Sequence, residues 1–315
     1  MNNLIRLIGR RLIALPIMVI GVTILVFFIT SLSPIDQAYS VLGENATPAQ
    51  VEQYREEHGL NDPILVQYFT YMGNLCQGDL GVYGATRTPV AEKIASALPI
   101  TLELTFLGLI IALIFSTIFG VVSAVYRDKW PDQLLRILSI VSLAMPSFWL
   151  AVLLILAVSG FLPASGQLPD FFEDPTGHML RMALPSIALA VPVIGQMTRV
   201  IRTSMVEELD KDYVRTAMGF GIPYRTVIAR NVLRNALISP VTVLGLRIAH
   251  LIGGAVVIEV IFNLPGMGMA ILSGIQANYL TLIQGVVLVV AIAFIIINII
   301  VDMLYILIDP RIRTV

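Results

Sequence analysis

Long apolar stretches recur along the chain, and each is long enough to cross a membrane as a helix. A spanning helix needs about 20 predominantly apolar residues. Six stretches meet this requirement, at residues 12–33, 98–126, 137–161, 183–201, 235–262 and 281–308. The fourth is interrupted by Pro185 and Pro192, and the fifth by Arg247 and Glu259. The pattern predicts an all-α, polytopic membrane protein with six transmembrane helices.

A helix break separates the fifth and sixth stretches. The uncharged run at residues 260–301 is too long for one spanning helix. The sequence Asn263-Leu264-Pro265-Gly266-Met267-Gly268 lies inside it. Pro removes a backbone donor and Gly weakens a helix, so we expect the chain to leave its helix at this point.

The segment between the first two spans has a helix pattern of its own. Thr47-Pro48-Ala49-Gln50 offers an N-cap Thr, Pro at the first helical position and Gln at the third. Apolar contacts would come from Val51, Tyr54, Leu60, Ile64, Leu65 and Tyr68. We therefore divide the chain into a tail with the first span (1–33), a small helical cap (34–97) and a five-helix core (98–315) that contains a loop at 203–234.

The distribution of basic residues predicts the orientation. Only 13% of the residues are charged, about half the proportion of a soluble protein. Lys and Arg lie mainly before the first span, between the second and third, between the fourth and fifth, and after the sixth. The other segments carry mostly acids, with Arg55, Arg87, Lys93 and Arg181 as exceptions. Basic residues favour the cytoplasmic side, so both termini are predicted to face the cytoplasm.

The sequence lacks the usual signatures of catalysis. There is no GxxxxGK[ST] nucleotide loop, no GxSxG elbow and no HExxH motif. The single cysteine, Cys76, rules out an intrachain disulfide, and His58, His178 and His250 are far apart, so no metal site is expected. The first apolar block is too long for a signal peptide. We expect no enzyme, no catalytic residue and no cofactor in this chain, and any energy from ATP must come from another subunit.

The 203–234 loop is the longest segment predicted to be cytoplasmic. Acids cluster before and in the first turn at Asp212, where a helix dipole favours them. Val214, Ala217 and Met218 share a helix face. Gly221 before Ile222-Pro223 is a helix stop, and a second amphipathic stretch leads into span five. The pattern predicts a helix, a turn and a second helix, and it also fits an ordinary loop on the membrane surface.

This loop resembles the EAA loop of binding-protein-dependent ABC importer permeases. The family pattern, Glu-Ala-Ala followed by three residues and Gly, aligns with Arg215-Thr216-Ala217-Met218-Gly219-Phe220-Gly221. Arg215 and Thr216 replace the Glu and the first Ala of this pattern. In this respect the loop resembles that of the dipeptide, oligopeptide and nickel branch of the family. Met218-Gly219-Phe220 stands where that branch usually has Arg-Ala-Lys, a departure that concerns the charge of the docking surface.

The resemblance extends over nearly the whole chain. It includes Gly59-Leu60-Asn61-Asp62-Pro63, Met145-Pro146-Ser147-Phe148-Trp149-Leu150, Pro265-Gly266-Met267-Gly268 and Asp309-Pro310-Arg311. It implies the type I ABC importer permease fold in a prokaryotic cytoplasmic (inner) membrane. It also implies an ATPase-coupling loop that uses Asp212, Tyr213, Arg215, Thr216, Ala217 and Gly221.

The resemblance also implies partners and a cargo. The partners are a second homologous permease, two cytoplasmic ATPases that bind ATP and Mg²⁺, an extracytoplasmic substrate-binding protein and membrane lipid, with no nucleic acid. The cargo would be a di- or oligopeptide. Nickel or another metal chelate, glutathione and oligosaccharides remain alternatives, because close relatives of this branch carry them.

Charged residues inside the spans are candidates for a translocation pathway. A charge at a helix centre costs about 2.5–3.5 kcal/mol on insertion scales and usually faces the protein interior. Arg247 and His250 share one face of span five, and Glu259 lies nearer its outer end. These three residues either line the pathway or gate, or form structural ion pairs. For Asp302 we favour a structural pair, and for Glu103 a position near water.

Two other classes of protein could have a similar hydropathy. An autonomous secondary transporter would need its own ion-coupling residues, and it often has an inverted repeat, which this sequence lacks. An intramembrane enzyme would need paired catalytic groups, and His250 has no evident nucleophile partner.

Overall fold

The computed structural model describes residues 2–33, 36–43, 46–158, 161 and 166–308. Of the sequence predictions, those on the side chains of His250 and Asp302 and on residues 309–315 lie outside the described part. The helices in chain order are α1 Asn2–Ser31, α2 Gln37–Leu42, α3 Pro48–Glu57, α4 Ile64–Cys76, α5 Val90–Val125, α6 Trp130–Ala144, α7 Ser147–Val158, α8 Pro175–Leu209, α9 Asp212–Gly219, α10 Tyr224–Thr226, α11 Leu233–Ala236, α12 Ile238–Phe262, α13 Met267–Gln276 and α14 Leu280–Ile308. A π-helical turn, Val227–Val232, joins α10 to α11, and two short antiparallel strands, β1 Val82–Tyr83 and β2 Thr88–Pro89, precede α5.

Where the structure describes them, each of the six predicted spans consists mainly of helical residues. In the described part of the chain, four helices are long and apolar enough to cross a membrane, and the number rises to seven if each of three bent pairs counts as one span. The predicted helix break after span five is confirmed. Asn263 adopts the left-handed conformation at the end of α12, and α13 begins at Met267.

The third span differs from the expected continuous helix. The chain bends by 107° between α6 and α7. Met145 between them is extended, with φ −86° and ψ 119°. A proline disfavours the helical conformation of the residue before it, so Pro146 accounts for the bend.

The fourth span is more regular than the sequence predicted, because α8 continues through Pro185 and Pro192. Prolines are tolerated in membrane helices when neighbouring groups satisfy the freed backbone atoms. The predicted interruption at these prolines is therefore wrong.

The chain forms two compact units. The first, residues 102–263 with residues 2–4 and 297–308, is organised around α8, which packs against α6, α7 and α12. Gly195 of α8 allows close approach to α6, since an added Cβ would lie 2.8 Å from the Ser139 carbonyl oxygen and from Ser142 Cβ. Small residues serve this purpose in membrane helix packing.

The second unit comprises residues 5–101 and 264–296. Its predicted helical cap is present, and the Thr47–Gln50 capping box starts α3 as expected. Phe27 of α1 packs against Tyr68 and Tyr71 of α4. Val51 and Tyr68 are buried, whereas Ile64 and Leu65 are exposed, contrary to the prediction that they supply internal contacts.

Candidate coupling surface and buried charges

Helix α9 begins and ends with the signals that the sequence predicted. Asp212 occupies its first turn. At its end, Gly221 N–H donates to the Met218 carbonyl at 2.9 Å and Ile222 N–H donates to the Ala217 carbonyl at 3.2 Å. These two bonds form a Schellman motif, with Gly221 in the left-handed conformation at φ 76°. The helix is therefore short and its end is fixed.

One face of α9 rests on a hydrophobic cluster that we call the base cluster. Its buried members are Ala124, Ile201, Met205, Val214, Val227, Ile228, Val232 and Ala236. Val214 is the member from α9, and Ala217 packs against the cluster from the same helix. Val214 and Ala217 of the predicted apolar face are thus covered by α5, α8 and the turns after α9, whereas Met218, its third predicted member, is 48% exposed.

The opposite face of α9 is open. The side chains of Asp212 and Arg215 are 97% and 77% exposed, and their charged atoms are 3.8 Å apart. Thr216, Met218 and Phe220 are also exposed. Of the six predicted coupling residues, Asp212, Arg215 and Thr216 share this surface, together with Gly221 at its end.

Tyr213 and Ala217 have a different position. The Tyr213 hydroxyl donates to Glu208 at 2.8 Å, and burial raises the pKa of this phenol. Both residues pack against the base cluster, so they support α9 rather than extend its exposed surface.

A cavity of about 330 Å³ lies beside α9. Its floor is mostly apolar, and Arg127, Asp210 and Arg215 contribute charged groups. Arg127 and Asp210 form an ion pair at 3.0 Å. The cavity therefore forms a concave surface next to Arg215 and Met218, two exposed residues of α9.

The compact unit that contains α9 also contains a buried carboxylate, that of Asp132. Asp132, in the first turn of α6, is completely buried. It accepts hydrogen bonds from Arg202 Nε and a terminal Arg202 nitrogen at 2.8 Å each, from the Ser123 hydroxyl, and from the Asp128 N–H at 2.9 Å. We call Ser123, Asp128, Asp132 and Arg202 the Asp132 cluster. It joins α5, α6 and α8.

Arg181 of α8 forms a second buried polar contact. It is 2% exposed and donates hydrogen bonds to the carbonyl oxygens of Phe262 and Gly166. Phe262 is the last residue of α12, whose carbonyl end attracts positive charge. The sequence analysis placed Arg181 among the basic residues on the side opposite the cytoplasm, and the structure buries it within α8.

The predicted pathway residues lie on α12. Glu259, in its last turn, is fully buried. Arg247 is partly buried, and its Nε has no hydrogen-bond partner among the described residues.

Glu103 forms an unexpected contact with His178. Their side chains approach to 2.8 Å, and the second ring nitrogen of His178 lies 2.8 Å from the Pro169 carbonyl oxygen. Glu103 keeps 33% of its side chain exposed. The contact ties α8 to α5 and to the loop before α8.

Comparison with known proteins identifies the family. The model for the binding-protein-dependent transport system inner membrane component matches residues 116–314, and the model for the N-terminal part of such components matches residues 4–105. The chain belongs to this family. It is a multi-pass permease subunit of an ABC importer with the type I permease fold, and such a subunit works with ATPase and substrate-binding partners.

Several similar proteins align with at least 95% of the permease. A provisionally named peptide transport system permease protein of Brucella abortus is 40% identical over 95% of this chain and 96% of its own length. The dipeptide transport system permease protein DppB of Alkalihalophilus pseudofirmus is 37% identical over 96% and 98%. The glutathione transport system permease protein GsiC of Escherichia coli is 37% identical over 96% and 97%.

Sequence reasoning missed the buried polar contacts of this permease. Asp132 and Arg202 are 70 residues apart, and Arg181 and Phe262 are 81 apart. Taken alone, Asp132, Arg181 and Arg202 are ordinary charges within helices, and Phe262 takes part only through its backbone carbonyl. No local pattern reveals such pairs, although Pro146 could have revealed the bend in the third span.

Proposed function

We propose that this permease moves small peptides into the cell. The observation that carries the proposal is its 37–40% identity, over at least 95% of the chain, to permeases named for peptide or dipeptide transport. The second candidate cargo is glutathione, itself a tripeptide, because the glutathione permease is similar at 37%. Both cargoes share peptide amides and terminal charges.

The proposed complex contains this chain, a second homologous permease, two ATPases and an extracytoplasmic binding protein. ATP and Mg²⁺ bind to the ATPases, so this chain needs no cofactor and performs no catalysis. The exposed face of α9, with Asp212, Arg215, Thr216 and the Gly221 end, docks on an ATPase. Tyr213 and Ala217 hold α9 on the base cluster. This division of roles follows from which side chains are open and which are covered.

Rigid-body motion explains how ATP could act through this surface. A short helix with a fixed end and a packed inner face moves as one piece with the helices beneath it. Closure of the ATPases around ATP would therefore displace α5 and α8 together with α9. Arg247, His250 and Glu259 of α12 are assigned to the pathway or gate that this motion opens.

Transport in proteoliposomes containing the complete complex tests the cargo. We expect ATP-dependent uptake of a labelled dipeptide that unlabelled dipeptides compete, and weaker or no uptake of Ni²⁺. ATP-dependent uptake of glutathione without dipeptide uptake would favour the second candidate. Uptake by the permease alone, driven by an ion gradient, would contradict the proposal.

The proposed orientation has both termini in the cytoplasm. Cys76 is the chain's single cysteine and is exposed, so an impermeant maleimide should label it in right-side-out membrane vesicles. In a Cys76→Ser background, Arg215→Cys should react only after the vesicles are permeabilised. Labelling of Arg215→Cys from outside would reverse the orientation.

A further inference from the structure

The Asp132 cluster adjoins the base cluster at two helices. Ser123 of the Asp132 cluster precedes Ala124 of the base cluster in α5, and Arg202 follows Ile201 of the base cluster in α8. The same two helices therefore support α9 and hold Asp132. α6 enters this arrangement through its first turn, where Asp132 lies.

A further ion pair links the same region to the start of α9. Arg127, in the turn between α5 and α6, pairs with Asp210, two residues before α9. This pair is half-exposed, and such pairs contribute little to stability. The buried Asp132 has far stronger contacts, because a carboxylate that accepts two parallel bonds from Arg is held in both position and orientation.

We propose that Asp132 is the positioning residue that makes α5, α6 and α8 move as one body with α9. Without its hydrogen bonds, α6 would keep its apolar packing on α8 but lose the directional contact that fixes its first turn. This inference rests on the coupling role of α9 in the proposed function.

The charge at Asp132 gives the proposal a chemical test. Asp132→Asn keeps the size of the side chain but removes the charge, and it replaces one acceptor oxygen by a donor that faces Arg202. Arg202→Lys keeps the charge but loses the two parallel bonds. Glu207→Gln is the matched control, since it makes the same change from acid to amide at an exposed position of α8 outside the Asp132 cluster.

The experiment follows hydrogen–deuterium exchange by mass spectrometry in the complete complex in nanodiscs, with and without a non-hydrolysable ATP analogue. In the wild type we expect the analogue to change exchange in 212–219, 197–209 and 131–144. In Asp132→Asn the change in 212–219 should persist, while the change in 131–144 is lost. Arg202→Lys should be intermediate, and Glu207→Gln should match the wild type.

Activity gives the second readout. Hydrolysis of ATP stimulated by dipeptide-loaded binding protein should fall by about fivefold or more in Asp132→Asn, a typical size for coupling between sites. Unstimulated hydrolysis and the amount of bound ATPase should stay at the wild-type level. If Asp132→Asn does not assemble, Ser123→Ala and Arg202→Lys, which keep the buried carboxylate, decide the question by the same measurements.

Three outcomes would overturn the proposal. In the first, the analogue changes exchange in 131–144 equally in the wild type and the variants. Helix α9 would then respond to the ATPase, but Asp132 would not transmit the motion to α6. In the second, every variant loses activity only in proportion to the amount of assembled complex that is lost. Asp132 would then have a purely structural role. In the third, wild-type 212–219 does not respond to the analogue, which contradicts the coupling role of α9 itself and hence any relay from it.

Discussion

The charges on α9 and the charge at Asp132 lie in one unit but meet opposite environments. Asp212 and Arg215 are 3.8 Å apart and face outward with nearly free side chains. Asp132 is fully buried and accepts bonds from groups on α5, α8 and the preceding turn. An exposed charge contributes little to the fold and is available to a partner. A buried charge must be satisfied internally, and then it fixes the elements that satisfy it.

Arg181 is buried like Asp132, but it donates hydrogen bonds to backbone carbonyls. The two buried residues anchor opposite parts of α8, near residues 181 and 202. Both contacts join helices that are far apart in sequence. We therefore expect changes at the buried charges to affect assembly or relay, and changes on the open face of α9 to affect docking of the ATPase.

The largest effect on stability is expected from Arg181→Met. The change leaves the buried Phe262 carbonyl without the Arg181 donor, at a cost of about 1–3 kcal/mol. Heating of the detergent-solubilised permease, followed by size-exclusion chromatography, should show a clearly lower melting temperature. Arg199→Met, at an exposed position of the same helix, is the control and should melt like the wild type. Equal melting of both variants would contradict the role of Arg181.

An intermediate effect is expected from Ala217→Asp, because Ala217 faces the base cluster. Ala217 is only partly buried, so a polar group there costs about 0.5–2 kcal/mol. It should loosen α9, which limited proteolysis of 203–234 detects. Thr216→Asp, on the open face next to it, should leave proteolysis unchanged but reduce co-purification of the ATPases. If the two variants are cleaved equally, the two faces of α9 do not differ as described.

The smallest effect on stability is expected from Arg215→Gln. Its ion pair with Asp212 is long and exposed, so the free energy of unfolding should change by less than about 1 kcal/mol. Binding of the ATPases should weaken, and the difference from the wild type should shrink as salt screens the charge. A stability loss as large as that of Arg181→Met would overturn the distinction between exposed and buried charges.

The sequence predicts features that depend on neighbours along the chain. The capping box at Thr47, the helix stop at Gly221 and the break at Asn263 are local patterns, and the structure confirms each one. Apolar stretches of sufficient length likewise predict where membrane helices lie, because the bilayer imposes the length.

Features that depend on distant partners could not be predicted in this way. The burial of Asp132 and Arg181 results from the packing of α8 against α6 and α12, which the hydropathy pattern does not specify. The same holds for the contact between Glu103 and His178. The sequence placed Ala217 on the same face of α9 as Val214, and the structure agrees. That this face packs on the base cluster depends on residues of α5, α8 and the turns after α9, so the local pattern could not show it.

The central claim is that α9 couples the permease to an ATPase, and Gly221→Val tests it most directly. A β-branched residue at φ 76° strains the end of α9 by about 1–2 kcal/mol, while no neighbouring atom lies within 4 Å of an added Cβ. Gly219→Ala, also without a neighbour within 4 Å but inside the helix, is the control. The measurement is ATP hydrolysis by the complete complex with and without loaded binding protein, together with the amount of bound ATPase. We predict normal membrane levels, less bound ATPase and no stimulation in Gly221→Val, with wild-type behaviour in Gly219→Ala; wild-type binding and stimulation in Gly221→Val would contradict the claim.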